Sequence, residues 1–121
     1  MVRAVVAIDG SSIALNALEA FLRTARELKE PADVHCVSVV DYFRLPRAAL
    51  EPSDVIWSEA ESALSAAGER ARTLGYTTLN HVVQGSVVEA ILEYCRKIDA
   101  TIVVIGTHGR KGVERALLGS T

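Results

Sequence analysis

The stretch TIVVIGTHGRKGVERALLGST, residues 101–121, joins an apolar run to a glycine-rich segment. The run Thr101–Ile105 is the most apolar in the chain, and it predicts a strand that is buried on both faces, as strands of parallel sheets are. Gly106 closes this strand. Glycines directly after a buried strand are typical of a loop whose backbone amides surround an anion, because glycine permits positive φ and has no Cβ.

Three further apolar runs precede this stretch and predict three more strands, at Arg3–Asp9, Val34–Val40 and Thr77–Val83. Helical segments separate them, so the predicted order is β-α-β-α-β-α-β. This alternation predicts an α/β three-layer sandwich with a parallel, Rossmann-like sheet and right-handed crossovers. Ligands of such sheets bind beyond the carboxyl ends of the strands. The residues at these ends are Asp9, Asp41, Gln84 and Gly106.

Apolar residues recur at three- and four-residue spacing between the predicted strands, which indicates amphipathic helices. The predicted stripes are Leu18, Phe21, Leu22, Ala25 and Leu28; Ile56, Ala60, Leu64, Ala67, Ala71 and Leu74; and Val88, Ile91, Leu92 and Cys95. Gly75 is placed to end the second helix, and Ser86 with Glu89 predicts a capping box at the start of the third. Residues 42–52 have no period and are predicted to form a loop.

The size and composition of the chain exclude several classes of protein. Its 121 residues fit one domain, and half of them are hydrophobic. A net charge of −2 argues against a general binder of nucleic acid or anionic membranes. No apolar run approaches the roughly 20 residues of a membrane helix, and the N-terminal run contains Arg3, so we expect a cytoplasmic protein. Cys36 and Cys95 are interpreted as small buried hydrophobes, without a metal or redox role.

The glycine-rich segment has a defined spacing. Two residues separate Gly106 from Gly109, nine separate Gly109 from Gly119, and Ser120 follows. A helix starting at Gly119 would also favour an anion, and Arg110 with Lys111 adds positive charge nearby. On spacing alone a second interpretation stays open, in which the glycines only shape an ordinary surface loop. His108 likewise could donate to a phosphate or only fix the loop.

The spacing matches the G-x2-G-x9-G-[ST] signature of the universal stress protein family, in its nucleotide-binding branch. The segments VVAIDGSS (residues 5–12) and QGSVVEAIL (residues 84–92) also resemble that family, and the resemblance covers essentially the whole chain. The resemblance implies a sheet of order 3-2-1-4-5 that binds ATP across the strand ends, and a homodimer. It also implies a single domain over residues 1–121 that stops before the last helix and the usual fifth strand, so that the flank of the fourth strand lacks its usual neighbour.

Carried over by position, the resemblance implies a nucleotide site on nine residues: Asp9, Val39, Gly106, Thr107, Gly109, Arg110, Gly119, Ser120 and Thr121. Asp9 would lie by the ribose and adenine, and the backbone of Val39 would meet the adenine edge. The glycines and Ser120 would hold the ribose-phosphate end, and Ser120 could also hold magnesium through the nucleotide. For Asp9 an Asx turn before the first helix is the alternative.

The favoured function is therefore an ATP-binding regulatory protein of the stress response, whose output is a change of conformation or oligomeric state. AMP or another adenine nucleotide could replace ATP. One alternative is a slow ATPase or a nucleotidyl-transfer enzyme, although the motif contains no evident base for phosphoryl transfer. Another is a dimeric scaffold for protein partners that binds no nucleotide. No catalytic residues are assigned.

Overall fold

A computed structural model describes residues 1–41, 53–106 and 114–118 of the chain. In order, the elements are β1 (Val2–Ala7), α1 (Ser12–Glu27), β2 (Ala32–Val40), α2 (Ser53–Thr73), β3 (Thr78–Gln84), α3 (Val87–Ile98), β4 (Ile102–Gly106) and β5 (Glu114–Leu118). None of the helices in these ranges is both long and apolar enough to cross a membrane.

The strands form one sheet in the order β3-β2-β1-β4-β5. The first four are parallel, which confirms the predicted order 3-2-1-4 and the three-layer α/β fold. In the centre of the sheet Val5 of β1 pairs with His35 on one side and Val103 on the other. The carboxyl ends of β1–β4 therefore share one edge, as the alternation of strands and helices predicts.

The flank of the fourth strand is covered in the structure, but not by the fifth strand that the resemblance implies. β5 lies there and runs antiparallel to β4, with Glu114 opposite Gly106 and Leu118 opposite Ile102. The physical reason is that an open strand edge exposes unpaired N–H and C=O groups, and a chain that turns back can satisfy them. The nine residues between Gly109 and Gly119 thus include a strand.

α1 and α2 cover one face of the sheet, and most of their predicted apolar stripes form the larger core with β1, β2 and β4. Leu28 is the exception, because it follows the last turn of α1 and is 72% exposed. Leu18, Leu22, Ala67 and Ala71 in this layer have no exposed surface. α2 ends as predicted at Gly75, which has φ +90°. This left-handed conformation costs glycine little, so it can stop the helix and turn the chain into β3.

α3 covers the opposite face, but its buried stripe differs from the predicted one. Ala90, Ile91 and Tyr94 are buried, whereas Val88 is 67% and Leu92 44% exposed. The ring of Tyr94 fills the space above β2, where its hydroxyl bonds to a histidine, so the helix is rotated toward that strand. The predicted capping box is also wrong at Ser86, whose side chain makes no capping hydrogen bond.

Candidate functional site

The carboxyl edge of the sheet brings together residues that are far apart in sequence. Four features lie along this edge. In the sheet order they are the turn after β3, the end of β2, the turn after β1 and Gly106 at the end of β4. The Gly85 N–H donates to the Val40 carbonyl at 3.1 Å, and the Ile8 N–H donates to the Val37 carbonyl at 2.8 Å. These bonds extend the ladder to the edge and fix the turns that surround it.

The turn after β1 is built by Asp9. Its Oδ1 accepts hydrogen bonds from the Ser11 N–H at 2.9 Å and from the Ser11 hydroxyl at 2.6 Å. Ser11 Oγ in turn accepts from the Ala14 N–H at 3.1 Å and caps α1. The Asx turn considered for Asp9 is therefore present, and it holds the exposed Asp9 carboxylate at the edge between β1 and α1.

Gly106 lies directly against the first turn of α1. A Cβ atom at this position would come within 2.7 Å of the Ile13 carbonyl oxygen and 2.9 Å of its carbonyl carbon. Backbone atoms cannot yield as the end of a side chain can, so only glycine fits here. The close approach places the end of β4 against the first turn of α1.

α1 and α3 both begin at this edge, and they differ in charge. The first turn of α1 contains no acidic residue, whereas that of α3 contains Glu89. The partial positive charge of a helix N-terminus attracts anions, and an acidic side chain in the first turn offsets it. Of the two, the α1 N-terminus beside Gly106 is therefore the better place for a phosphate.

The structure describes three of the nine predicted site residues. Asp9 and Gly106 lie at the carboxyl edge, and Val39 is a half-buried residue near the end of β2, opposite Val83. The other six lie outside the described residues: Thr107, Gly109, Arg110, Gly119, Ser120 and Thr121. Their part in a nucleotide site stays a prediction.

An open cavity of about 660 Å³ lies at the opposite edge of the sheet, between the ends of α1 and α2. Arg26, Lys29 and Arg72 contribute positive charge to its lining. Helix C-termini point carbonyl oxygens and the negative end of the dipole into such a space, which disfavours phosphate. We therefore place the candidate site at the carboxyl edge despite the size of this cavity.

A buried polar cluster lies under α3, and the sequence analysis did not identify it. His35 is 7% exposed; its Nδ1 lies 2.9 Å from the Tyr94 hydroxyl, and its Nε2 lies 3.2 Å from Asp33 Oδ2. Arg3 Nε lies 3.3 Å from the same carboxylate oxygen. Burial, with a smaller effect of Asp33, raises the pKa of Tyr94 and keeps its hydroxyl protonated as a donor. Asp33 and His35 lie two residues apart and therefore on one face of β2, and this spacing was the signal in the sequence that could have indicated the cluster.

Burial disfavours the thiolate form of both cysteines. Burial raises the pKa of Cys36 to about 12 and also raises the pKa of Cys95. The thiolate is the reactive form of cysteine, so neither thiol is a nucleophile near neutral pH. Among the described residues, no group of three or more His, Cys, Asp and Glu side chains is arranged to hold a metal ion.

Comparisons with known proteins agree on one family. A sequence profile described as the universal stress protein family matches residues 1–121. Universal stress protein MJ0531 of Methanocaldococcus jannaschii is 31% identical over 121 residues, covering 96% of this chain and 70% of its own.

Solved structures extend this likeness. A universal stress protein family member from Burkholderia pseudomallei is 30% identical with a TM-score of 0.68, over 88% of this chain and 81% of its own. The universal stress protein from Archaeoglobus fulgidus in complex with dAMP is 23% identical with a TM-score of 0.67, over 93% of this chain and 86% of its own. At 23% identity, the likeness to the Archaeoglobus fulgidus structure is a likeness of fold.

Proposed function

Because the chain belongs to the universal stress protein family, we propose that it binds an adenine nucleotide at the carboxyl edge of its sheet. The observation that carries this proposal is the contact of Gly106 with the first turn of α1. The first glycine of the G-x2-G-x9-G-[ST] motif thus lies beside a helix whose first turn contains no acidic residue. A phosphate bound there would meet backbone N–H groups and the positive end of the helix dipole.

Each predicted site residue has a role in this proposal. The Asp9 carboxylate, held between β1 and α1, accepts a hydrogen bond from the ribose, and the backbone of Val39 meets the adenine edge. Gly106, Thr107 and Gly109 surround the phosphates with their amides, and Arg110 adds a positive charge. Gly119, Ser120 and Thr121 complete the phosphate end, with Ser120 bonding to the nucleotide or to its magnesium ion. The Archaeoglobus fulgidus relative in complex with dAMP supports an adenine nucleotide as the ligand.

The position of β5 adds a requirement to this site. Leu118 pairs with Ile102, four residues before Gly106 along β4, which is roughly 13 Å at the rise of a strand. Gly119 directly follows Leu118 in the sequence, so it can join Gly106 around one phosphate only if β5 leaves β4. We propose that nucleotide binding and the pairing of β5 are alternatives, and that this exchange is the conformational output.

ATP is the nucleotide that we propose, with magnesium, in a cytoplasmic homodimer that regulates a stress response. The proposed output is conformational or oligomeric, because the motif supplies amides and cations but no evident base for phosphoryl transfer. Residues 1–121 form one domain of this kind. Slow ATP hydrolysis and a scaffold without nucleotide are the other outcomes that the following experiment separates.

The experiment has two parts. The purified protein is heated and extracted, and the extract is examined for adenine nucleotides by chromatography; thermal shift is then measured with Mg-ATP and Mg-AMP. We expect a bound nucleotide or a rise in Tm, and loss of both in Gly109→Val, because a branched side chain fills the phosphate loop and opposes positive φ. Gly112→Val is the matched control, since Gly112 lies in the same segment but outside the motif.

An empty extract together with an unchanged Tm contradicts nucleotide binding and leaves the scaffold. Steady phosphate release that Gly109→Val abolishes establishes an ATPase instead of a regulator. Hydrogen exchange at the amides of residues 114–118 tests the output: ATP should speed exchange there if β5 is released. If exchange is unchanged while ATP is bound, the proposed release of β5 is wrong, and the proposal of nucleotide binding is unaffected.

A further inference from the structure

The hydroxyl of Ser11 connects two parts of the carboxyl-edge site. Ser11 Oγ lies 2.6 Å from Asp9 Oδ1 and 3.1 Å from the backbone nitrogen of Ala14. In the second bond the Ala14 N–H is the donor, so the one proton of the Ser11 hydroxyl goes to Asp9. A length of 2.6 Å is that of a hydrogen bond from a hydroxyl to an ionised carboxylate, which is stronger than a bond between neutral groups. Ser11 therefore ties the Asp9 carboxylate to the first turn of α1.

The residue between them turns the chain so that Ser11 can reach back to Asp9. Gly10 has φ +86°, a left-handed conformation that costs glycine little. The turn also brings the Ser11 N–H within 2.9 Å of the same Oδ1 that accepts from the hydroxyl. Asp9 is an exposed residue, and yet its carboxylate is held by two hydrogen bonds from Ser11.

The same turn of α1 also contacts the other end of the candidate site. Ile13 follows Ser11 by two residues, and its carbonyl group lies against Gly106 at the end of β4. One helical turn thus positions Asp9 and Gly106 relative to each other. A nucleotide that meets Asp9 with its ribose and Gly106 with its phosphates would find the two at a fixed separation.

We infer that Ser11 is a positioning residue of the proposed nucleotide site, which directs the Asp9 carboxylate toward the ribose hydroxyls and makes the site selective for nucleotides that carry them. The inference rests on the proposed function and adds the residue that sets this selectivity. An exposed carboxylate can adopt several side-chain conformations. A carboxylate that is already held in its bonding orientation loses less freedom when the ligand binds.

Capping of α1 does not by itself account for the bond to Asp9. A serine cap uses a lone pair of the hydroxyl oxygen and leaves its proton for another acceptor. Here that acceptor is the carboxylate of Asp9. Threonine offers the same oxygen and the same proton, whereas alanine offers neither. Ligand selectivity, measured beside stability, therefore separates positioning from capping.

Calorimetric titration with Mg-ATP and with Mg-dideoxy-ATP, the analogue that lacks both ribose hydroxyls, tests the inference. We expect the original protein to bind ATP roughly tenfold or more tightly than the analogue, because a hydrogen bond to a charged group is lost. Ser11→Ala should weaken ATP binding roughly fivefold and leave binding of the analogue within about twofold. Ser11→Thr should keep the original ratio of the two affinities.

Two controls accompany these variants. If Ser11 acts through Asp9, adding Ser11→Ala to Asp9→Asn should not change the ratio further, since a residue that acts through another has no effect once that other is altered. Tyr94→Phe controls for stability: it removes a hydrogen bond to His35 under α3, away from α1, and should leave the ratio unchanged. Circular dichroism at the titration temperature confirms that each variant is folded.

Three results would overturn the inference: equal affinities of the original protein for the two nucleotides, an equal loss for both nucleotides in Ser11→Ala, or a further loss of selectivity when Ser11→Ala is added to Asp9→Asn. In each of these cases nucleotide binding itself stands. If neither nucleotide binds to the original protein, the proposed function is wrong and the inference is wrong with it.

Discussion

At the scale of single residues, two glycines should respond in opposite ways to an added methyl group. In Gly106→Ala the Cβ atom would lie 2.7 Å from the Ile13 carbonyl oxygen, so β4 or α1 must shift, at a cost of about 1–3 kcal/mol. In Gly68→Ala the Cβ atom meets Thr78 Oγ1 at 3.4 Å, an ordinary contact. Alanine is also the better helix former, so this variant should gain about 0.5–1 kcal/mol. Urea unfolding of both variants measures the difference, and equal effects would contradict the close approach at Gly106.

The hydroxyl of Tyr94 should contribute to stability through His35. Tyr94→Phe leaves the buried Nδ1 of His35 without its donor, and an unsatisfied buried polar atom costs about 1–3 kcal/mol. Tyr76→Phe is the control, because the Tyr76 hydroxyl makes no hydrogen bond within the ranges that the structure describes; its effect should stay below about 0.5 kcal/mol. If chemical denaturation gives the two variants the same free energy of unfolding, the bond between Tyr94 and His35 is not stabilising.

At the scale of elements, the two serines that precede helices are predicted to differ. Ser11 caps α1 through its hydroxyl, so Ser11→Ala should destabilise the protein by about 1 kcal/mol. The Ser86 side chain makes no capping bond, although its carbonyl oxygen accepts from the Ala90 N–H at 2.8 Å. Ser86→Ala should therefore change the midpoint of urea unfolding little. A comparable loss in both variants would show that Ser86 caps α3 in solution.

The helices and strands show which features the local sequence could predict and which it could not. The strands and helices followed from apolar runs and their spacing, because these patterns report burial directly. Rotation of α3 did not follow, since it depends on Tyr94 reaching a histidine on β2, and that partner is 59 residues away. At the candidate site, strand order predicted that Asp9 and Gly106 share an edge. The contact of Gly106 with Ile13 depends on how closely α1 packs on β4, which spacing alone does not encode.

At the scale of the whole molecule, Glu19 connects the two helices of one layer. Its carboxylate bonds to Arg23 at 2.8 Å within α1 and to Arg70 of α2 at 3.0 Å. The hydrogen bond from Arg23 lowers the pKa of Glu19 from its usual 4.5, burial opposes this, and Arg70 lowers it further. A lowered pKa in the folded state contributes stability above the unfolded value, and that contribution is lost as the pH falls through the lowered pKa.

Glu19→Gln should accordingly lower the Tm at neutral pH, and the difference from the original protein should shrink as the pH falls below about 4.5. Thermal melts of both proteins across this range provide the measurement. Glu69→Gln is the control, since Glu69 accepts its hydrogen bonds from Arg72 of its own helix and, in the part of the chain that the structure describes, joins no second element. A difference in Tm that stays constant down to the lowest pH would contradict the role given to the Glu19 carboxylate.

The place of β1 in the middle of the sheet has a consequence for biosynthesis. β1 leaves the ribosome before its two partners; it pairs on one side with β2 but must wait for β4, about a hundred residues later, to cover its other side. Closing so long a loop is slow, because its entropy is lost before the strand contacts form. An emerging chain therefore keeps an apolar strand edge open until β4 has been made. The contact of Gly106 with Ile13 forms in that step, so a nascent chain gains nothing from a ligand at this edge before β4 has left the ribosome.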